Sequence, residues 1–230
     1  MTVGFLRATL AVTSKDLRIE VRAREIVYSM VFFAALVVLL FAFSFTREGV
    51  ADRNAVAGVL WIAVALTGTL GQGRAMDRER EGNTMRALLL APIDRTAIYL
   101  GKLLGIVAFM LLAEVSSVPL VALFFDVPLL SVGGTLMVLL LLGTVGFAAV
   151  GSLFAAMLMR ARARDVLLGI LLYPVVIPIL LAGVRGTQAL LAVPVADVDG
   201  AWFWARMMLA FDVVFITVAL WVYEPLVAID

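Results

Sequence analysis

Six long apolar runs divide the 230-residue chain, at about 27 to 46, 55 to 73, 97 to 125, 129 to 159, 166 to 184 and 207 to 223. Each can supply the ~20 residues of helix that a ~30 Å hydrocarbon layer requires. Backbone polar groups in lipid must be satisfied within the segment, so runs of this kind predict helices, and the short alternating runs of a β-barrel are missing. The third and fourth runs exceed ~20 residues, which predicts that those helices either tilt or continue past the hydrocarbon. Ahead of the first run, Leu6, Leu10, Leu17 and Val21 keep helical spacing while Arg7, Lys15, Arg18, Arg22 and Glu25 populate another face. The pattern predicts an amphipathic helix lying in the cytoplasmic interface, the alternative being a solvated tail. Thr13 and Asp16 have capping-box-like spacing, which predicts a break near Thr13. The expected fold is thus an all-α membrane protein, one transmembrane domain over 1–230, with an interfacial helix in 1–25 and six membrane helices in 26–230.

Composition sharpens this picture: 64% of residues are hydrophobic, 15% are charged, and mean hydropathy is +1.11. A water-soluble domain, at about 45–50% apolar, could not hide so much apolar surface. Cysteine and histidine are both absent, which removes disulfides, thiol nucleophiles, zinc clusters and the usual imidazole ligand of haem iron. The first 25 residues mix basic with acidic side chains and lack the apolar core of a signal peptide.

The placement of charge is more informative than the net +1. Fourteen of 18 Lys and Arg fall in the N-terminal segment, in 74 to 102 and in 160 to 164, leaving Arg47, Arg53, Arg185 and Arg206 elsewhere. The positive-inside rule then predicts cytoplasmic termini and basic connections, with 47 to 54, Asp126 and 185 to 206 facing outward. The outer segment 185 to 206, with Pro194, Gly200 and two Trp, predicts a short or re-entrant helix at the outer interface.

The connection RAMDREREGNTMRALLLAPIDRTAIYLGK, Arg74 to Lys102, is the most patterned polar stretch. Gly82 and Asn83 supply a turn, Thr84 can cap a short helix bearing Met85, Leu88, Leu89 and Leu90, Pro92 ends it, and Asp94 caps the next membrane helix. Such an apolar ridge with charged flanks either docks into a groove on a soluble partner or rests on lipid headgroups. The basic turn Arg160, Arg162, Arg164 and Asp165 is explained by topology, with a second docking contact as the alternative. No G-x-x-x-x-G-K-[ST] pattern occurs, so this chain does not bind ATP in that manner.

Inside the apolar runs, Glu114 and Asp212 stand out, because a charge at depth is costly unless paired. Both are expected toward the outer half, with Arg185 or Arg206 as partners. They either line a cavity or contact a membrane partner, or simply cap helix ends. Pro119, Pro174 and Pro178 are expected to kink or interrupt their helices. Gly101 and Gly105 form a G-x-x-x-G pair, and Gly143, Gly146, Gly151 and Ser152 line the fourth run, suiting close helix packing or a dimer face.

These residues carry a likeness that runs almost end to end: SKDLRIEVRAREIVYSMVFFAALVVLLFAFSF, DREREGNTMRALLLAPIDRTAIYLGK, GFAAVGSLFAAM with ARARDVLL, and AFDVVFITVALWVYE. The chain resembles the CcmB family of haem exporter permeases in cytochrome c maturation. The resemblance implies a six-helix, ABC-2-type, non-catalytic half-transporter that forms a homodimer in the bacterial inner membrane. Its implied partners are a CcmA-type ATPase, CcmC-type and CcmD-type membrane proteins and, indirectly, a CcmE-type haem chaperone. ATP would be bound on the ATPase and haem handled mainly by the partners, so no cofactor is expected on this chain. Within that frame Arg80, Glu81, Met85, Arg86, Leu88 and Leu89 are the expected ATPase contact. Arg86 departs from the family pattern, which usually has an acidic residue there. The rival readings are an ABC-2 permease for a drug, lipid or glycan, and a channel or secondary carrier with Glu114 as its coupling carboxylate.

Overall fold

A computed structural model describes residues 4–47, 50–81, 93–129, 131–158, 161 and 163–228. Among them run seven helices: α1 Phe5–Ala23, α2 Glu25–Ser44, α3 Val56–Glu81, α4 Arg95–Phe125, α5 Gly133–Met157, α6 Arg164–Leu190 and α7 Val198–Ala228. The only strands among these residues are the two-residue pieces β1 Thr46–Arg47 and β2 Val50–Ala51, which pair antiparallel between α2 and α3. Six of the helices, α2 to α7, are long and apolar enough to cross a membrane. The chain is a multi-pass, all-α membrane protein, as its apolar runs predict.

Local chemistry sets the helix ends. Arg24, with φ of 56°, is the single residue between α1 and α2. Asp94 caps α4 as expected, its Oδ1 accepting from the Thr96 backbone N–H at 2.9 Å and from the Thr96 hydroxyl at 2.6 Å. Asp126, also in the left-handed region with φ of 48°, closes the same helix. Pro119 lies within α4, and Pro174 and Pro178 lie within α6, without interrupting either helix.

Two further expectations are corrected. The helix α1 does not break near Thr13; the Thr13 hydroxyl turns back to the Thr9 carbonyl and across to the Gly101 carbonyl, each at 3.0 Å, rather than capping a new helix. No separate helix occupies the outer segment either. Instead α6 continues to Leu190 and α7 begins at Val198, so most of 185 to 206 belongs to two long helices joined by a short turn. Two apolar flanks on either side of that turn favoured extending the existing helices over nucleating a new one.

At the centre of the packing stands α5, whose neighbours are α3, α4, α6 and α7. Its small residues Gly143, Gly146, Ala148, Ala149, Gly151 and Ser152 are all buried and let the neighbours approach closely. On the other side of the molecule α1 lies against α4. It docks through Ala8, Thr9 and Val12, while Leu6 and Leu10 of its predicted apolar stripe stay on the surface. The contact is tight at Gly101, where a Cβ would sit 2.6 Å from Val12 Cβ and 3.0 Å from the Thr9 carbonyl oxygen. At Gly105 the nearest atom, Asp16 Cβ, is 3.7 Å away. Of the G-x-x-x-G pair, Gly101 is therefore required by packing within the chain, while Gly105 has room for a methyl group. Gly101→Leu is expected to lower stability by about 1–3 kcal/mol through overpacking. Gly105→Ala should leave it unchanged, as measured by thermal unfolding in detergent.

Candidate intramembrane polar site and coupling segment

The polar groups left inside the apolar core collect around α5. From α4, Glu114 is buried and its Oε1 accepts from the Thr144 hydroxyl of α5. Its Oε2 has no hydrogen-bond partner among the described residues, and neither does the buried Thr67 hydroxyl of α3. Both residues line a narrow void between α3 and α4 that also takes in Gly68, Met110 and Ser117 and admits no water-sized sphere. The Ser117 hydroxyl is spent on its own helix, on the Ala113 and Glu114 carbonyls at 3.0 and 3.3 Å.

Asp212 of α7 approaches α5 at a different point. It is 3% exposed, and neither oxygen has a hydrogen-bond partner among the described residues. It fits because Gly146 has no side chain: a Cβ there would collide with Asp212 Oδ1 and Ile179 Cδ1. The two carboxylates thus face α5 separately, one at Thr144 and one at Gly146.

Among the described residues neither pairs with an arginine, contrary to the expectation from sequence. The ion pairs among the described residues are Lys15–Asp16 at 2.7 Å, Arg53–Asp126 at 3.2 Å and Arg74–Glu25 at 3.5 Å. Arg206 stands six residues before Asp212, roughly 120° around the helix, so it is turned to the surface when Asp212 is turned inward. Arg185 is likewise exposed. An unpaired carboxylate in apolar surroundings costs several kcal/mol by common estimates. Burial of two such groups argues against their being mere helix caps at an interface.

Three polar contacts of the core escaped the sequence reading. Trp61 of α3 is wedged between α5 and α6, where Gly143 and Gly183 leave room for its ring, and its Nε1–H donates to the buried Thr187 hydroxyl at 2.9 Å. Gln72, also of α3, donates from Nε2 to the Phe147 carbonyl at 3.4 Å and fills the space beside Gly151. Tyr99 of α4 donates to the Ala149 carbonyl at 3.0 Å and stacks obliquely on Tyr223, ring centres 5.2 Å apart. A signal existed for Gln72, which is the only amide in its apolar run. None existed for Trp61, since no spacing rule pairs it with glycines more than eighty residues away.

The expected ATPase contact falls largely beyond the description. Arg80 and Glu81 lie on the last turn of α3, and Met85, Arg86, Leu88 and Leu89 lie outside the described residues. What the structure does give is the continuity of α3, which carries on from the end of its span at Ala75 to Glu81. Across the molecule, Arg74–Glu25 links α3 to α2, and Arg95 Nη1 donates to the Glu224 carbonyl of α7 at 3.5 Å.

The model of the CcmB protein family matches residues 7–227, a stretch containing every span. The chain belongs to the CcmB family. Among similar CcmB-type proteins, Heme exporter protein B of Pseudomonas aeruginosa is 30% identical over 168 residues, covering 73% of this chain and 74% of its own. Heme exporter protein B of Rhodobacter capsulatus is 29% identical over 195 residues, covering 83% and 89%. The likeness therefore extends over the membrane helices of a CcmB protein and is not confined to the 74 to 102 connection.

Proposed function

We propose that this chain is the permease subunit of a haem-exporting ABC transporter, taking its energy from a separate CcmA-type ATPase. The observation that carries the reading is the match of residues 7–227 to one family, together with relatives named for haem export. Lacking both a phosphate-binding loop and any histidine, the chain supplies a membrane path and a mechanical link, and catalysis belongs to the partner. In this reading both termini and the two basic connections are cytoplasmic, which the charge distribution supports. ATP hydrolysis is then coupled to haem export or to release of a haem-loaded CcmE-type chaperone, beside CcmC-type and CcmD-type proteins and a second copy of this chain.

The mechanism follows from the stiffness of α3. A helix cannot bend freely without breaking backbone hydrogen bonds, so a push on the segment after Glu81 is delivered to the positions of Gln72 and Trp61. Those two side chains touch α5 and α6, so the displacement reaches the helix that Glu114 and Asp212 also face.

Deleting the gene is expected to abolish c-type cytochromes, with restoration by the full chain, and the ATPase is expected to co-purify with it. Normal cytochromes in the deletion strain would favour another cargo. Substrate flux in liposomes lacking any ATPase would favour a secondary carrier.

A further inference from the structure

Between α2, α3 and α6 an open cleft of about 360 Å³ cuts into the helix layer, a size within the ~300–1,000 Å³ of ordinary ligand pockets. Its walls are Phe33, Leu66, Leu70 and Leu168, with the hydroxyls of Thr69 and Tyr173, 3.1 Å apart, as a polar spot between them. Along α3 the lining residues run from Leu66 to Arg74, about 12 Å of helix at 1.5 Å per residue. Arg74 is the last of them and lies beside Ala75, where the second span ends. The cleft therefore has a cation at the level where hydrocarbon gives way to headgroups, and apolar walls leading inward from it.

The Arg74 guanidinium is not used up by the protein. Among the described residues its polar contact is from Nη1 to Glu25 Oε1 at 3.5 Å, in a pair whose side chains are 47% and 68% exposed. Such a pair contributes little, and a guanidinium carries five N–H donors. The remaining donors suit a phosphate, which takes two parallel hydrogen bonds from one arginine.

We propose that this cleft binds an anionic phospholipid, its phosphate on Arg74 and one hydrocarbon chain along Phe33, Leu66, Leu70 and Leu168. A free anion would leave the apolar walls uncovered, and a zwitterionic lipid would bring a cationic headgroup toward an already basic end of the molecule. The inference is independent of the transported cargo, because it rests on the cleft and its charge alone. Bound there, the lipid would fill the gap between α2 and α6 and tie the Arg74 turn of α3 to the membrane surface.

The test uses the full chain reconstituted in phosphatidylcholine nanodiscs containing a minor fraction of phosphatidylglycerol, followed by native mass spectrometry of retained lipid. Wild type is expected to retain phosphatidylglycerol in preference to phosphatidylcholine. Arg74→Gln should cut that preference roughly tenfold or more, the loss expected for a charge-assisted hydrogen bond. Gly73 lines the cleft, and a Cβ there meets nothing within 4 Å. Gly73→Leu should therefore displace both lipids while helicity and thermal midpoint stay unchanged. Equal retention by wild type and both variants would overturn the proposal, as would an absence of preference in wild type. Displacement by inorganic phosphate alone would show a simple anion site instead. A change in oligomeric state of Gly73→Leu with lipid retention unaltered would show that a second copy covers the cleft.

Discussion

Trp61→Ala is expected to be the most destabilising truncation in this chain, at about 3 kcal/mol, the low end of the range for emptying an aromatic site in a protein core. The low end applies because the helices of a membrane protein stay in lipid when their tertiary contacts are lost, so little of the water-transfer contribution is at stake. What is lost is the packing of an indole that is 1% exposed and lies between Gly143 of α5 and Gly183 of α6. The Thr187 hydroxyl is orphaned at the same time. Neither glycine can grow to fill the space without a compensating mutation. Trp61→Phe separates the two contributions, since it keeps most of the ring and removes the hydrogen bond, for an expected loss of about 0.6–1.7 kcal/mol. Unfolding by denaturing detergent, followed by circular dichroism, measures both. An alanine variant no weaker than the phenylalanine variant would refute the wedge.

The second large effect is functional. Leu89→Asp is expected to leave insertion, helicity and thermal stability unaltered while reducing recovery of the ATPase by tenfold or more, the order expected for an interface hot spot. By sequence spacing Met85, Leu88, Leu89 and Leu90 would form an apolar ridge within an otherwise polar connection. A carboxylate in the middle of such a ridge would be desolvated on docking without a partner, and that penalty falls on the complex alone. Arg86→Glu, a charge reversal that leaves the apolar positions intact, provides the opposite probe and should leave co-purification intact. Undiminished ATPase recovery from the Leu89→Asp strain would remove this segment from the interface.

The structure also gives the two carboxylates different surroundings within one core. Glu114 is held by Thr144 and lies beside a Thr67 hydroxyl that has no partner among the described residues, while Ser117 is bonded to its own helix. Asp212 has only the hollow at Gly146. Burial against α5 makes both sensitive to any shift of that helix. The missing ion pairs sharpen the point. Charge counting along a chain suggested Arg185 and Arg206 as partners, but pairing depends on which face of a helix each residue occupies.

Much of this protein was determined by its sequence before any tertiary contact is considered. Hydrocarbon leaves the backbone no partner but itself, so an apolar run of sufficient length is a helix wherever it lies, and all six runs became helices. The Asp94 cap was legible for the same kind of reason, because its bonds reach only to Thr96. Tertiary structure alone decided what lies between the helices. Lipid is as apolar as leucine, so hydropathy cannot tell a face turned to lipid from one turned to a neighbouring helix. That is why the docking of α1 through Ala8, Thr9 and Val12, the seat of Trp61 between two glycines, and the separate niches of Glu114 and Asp212 became visible only once the helices were packed.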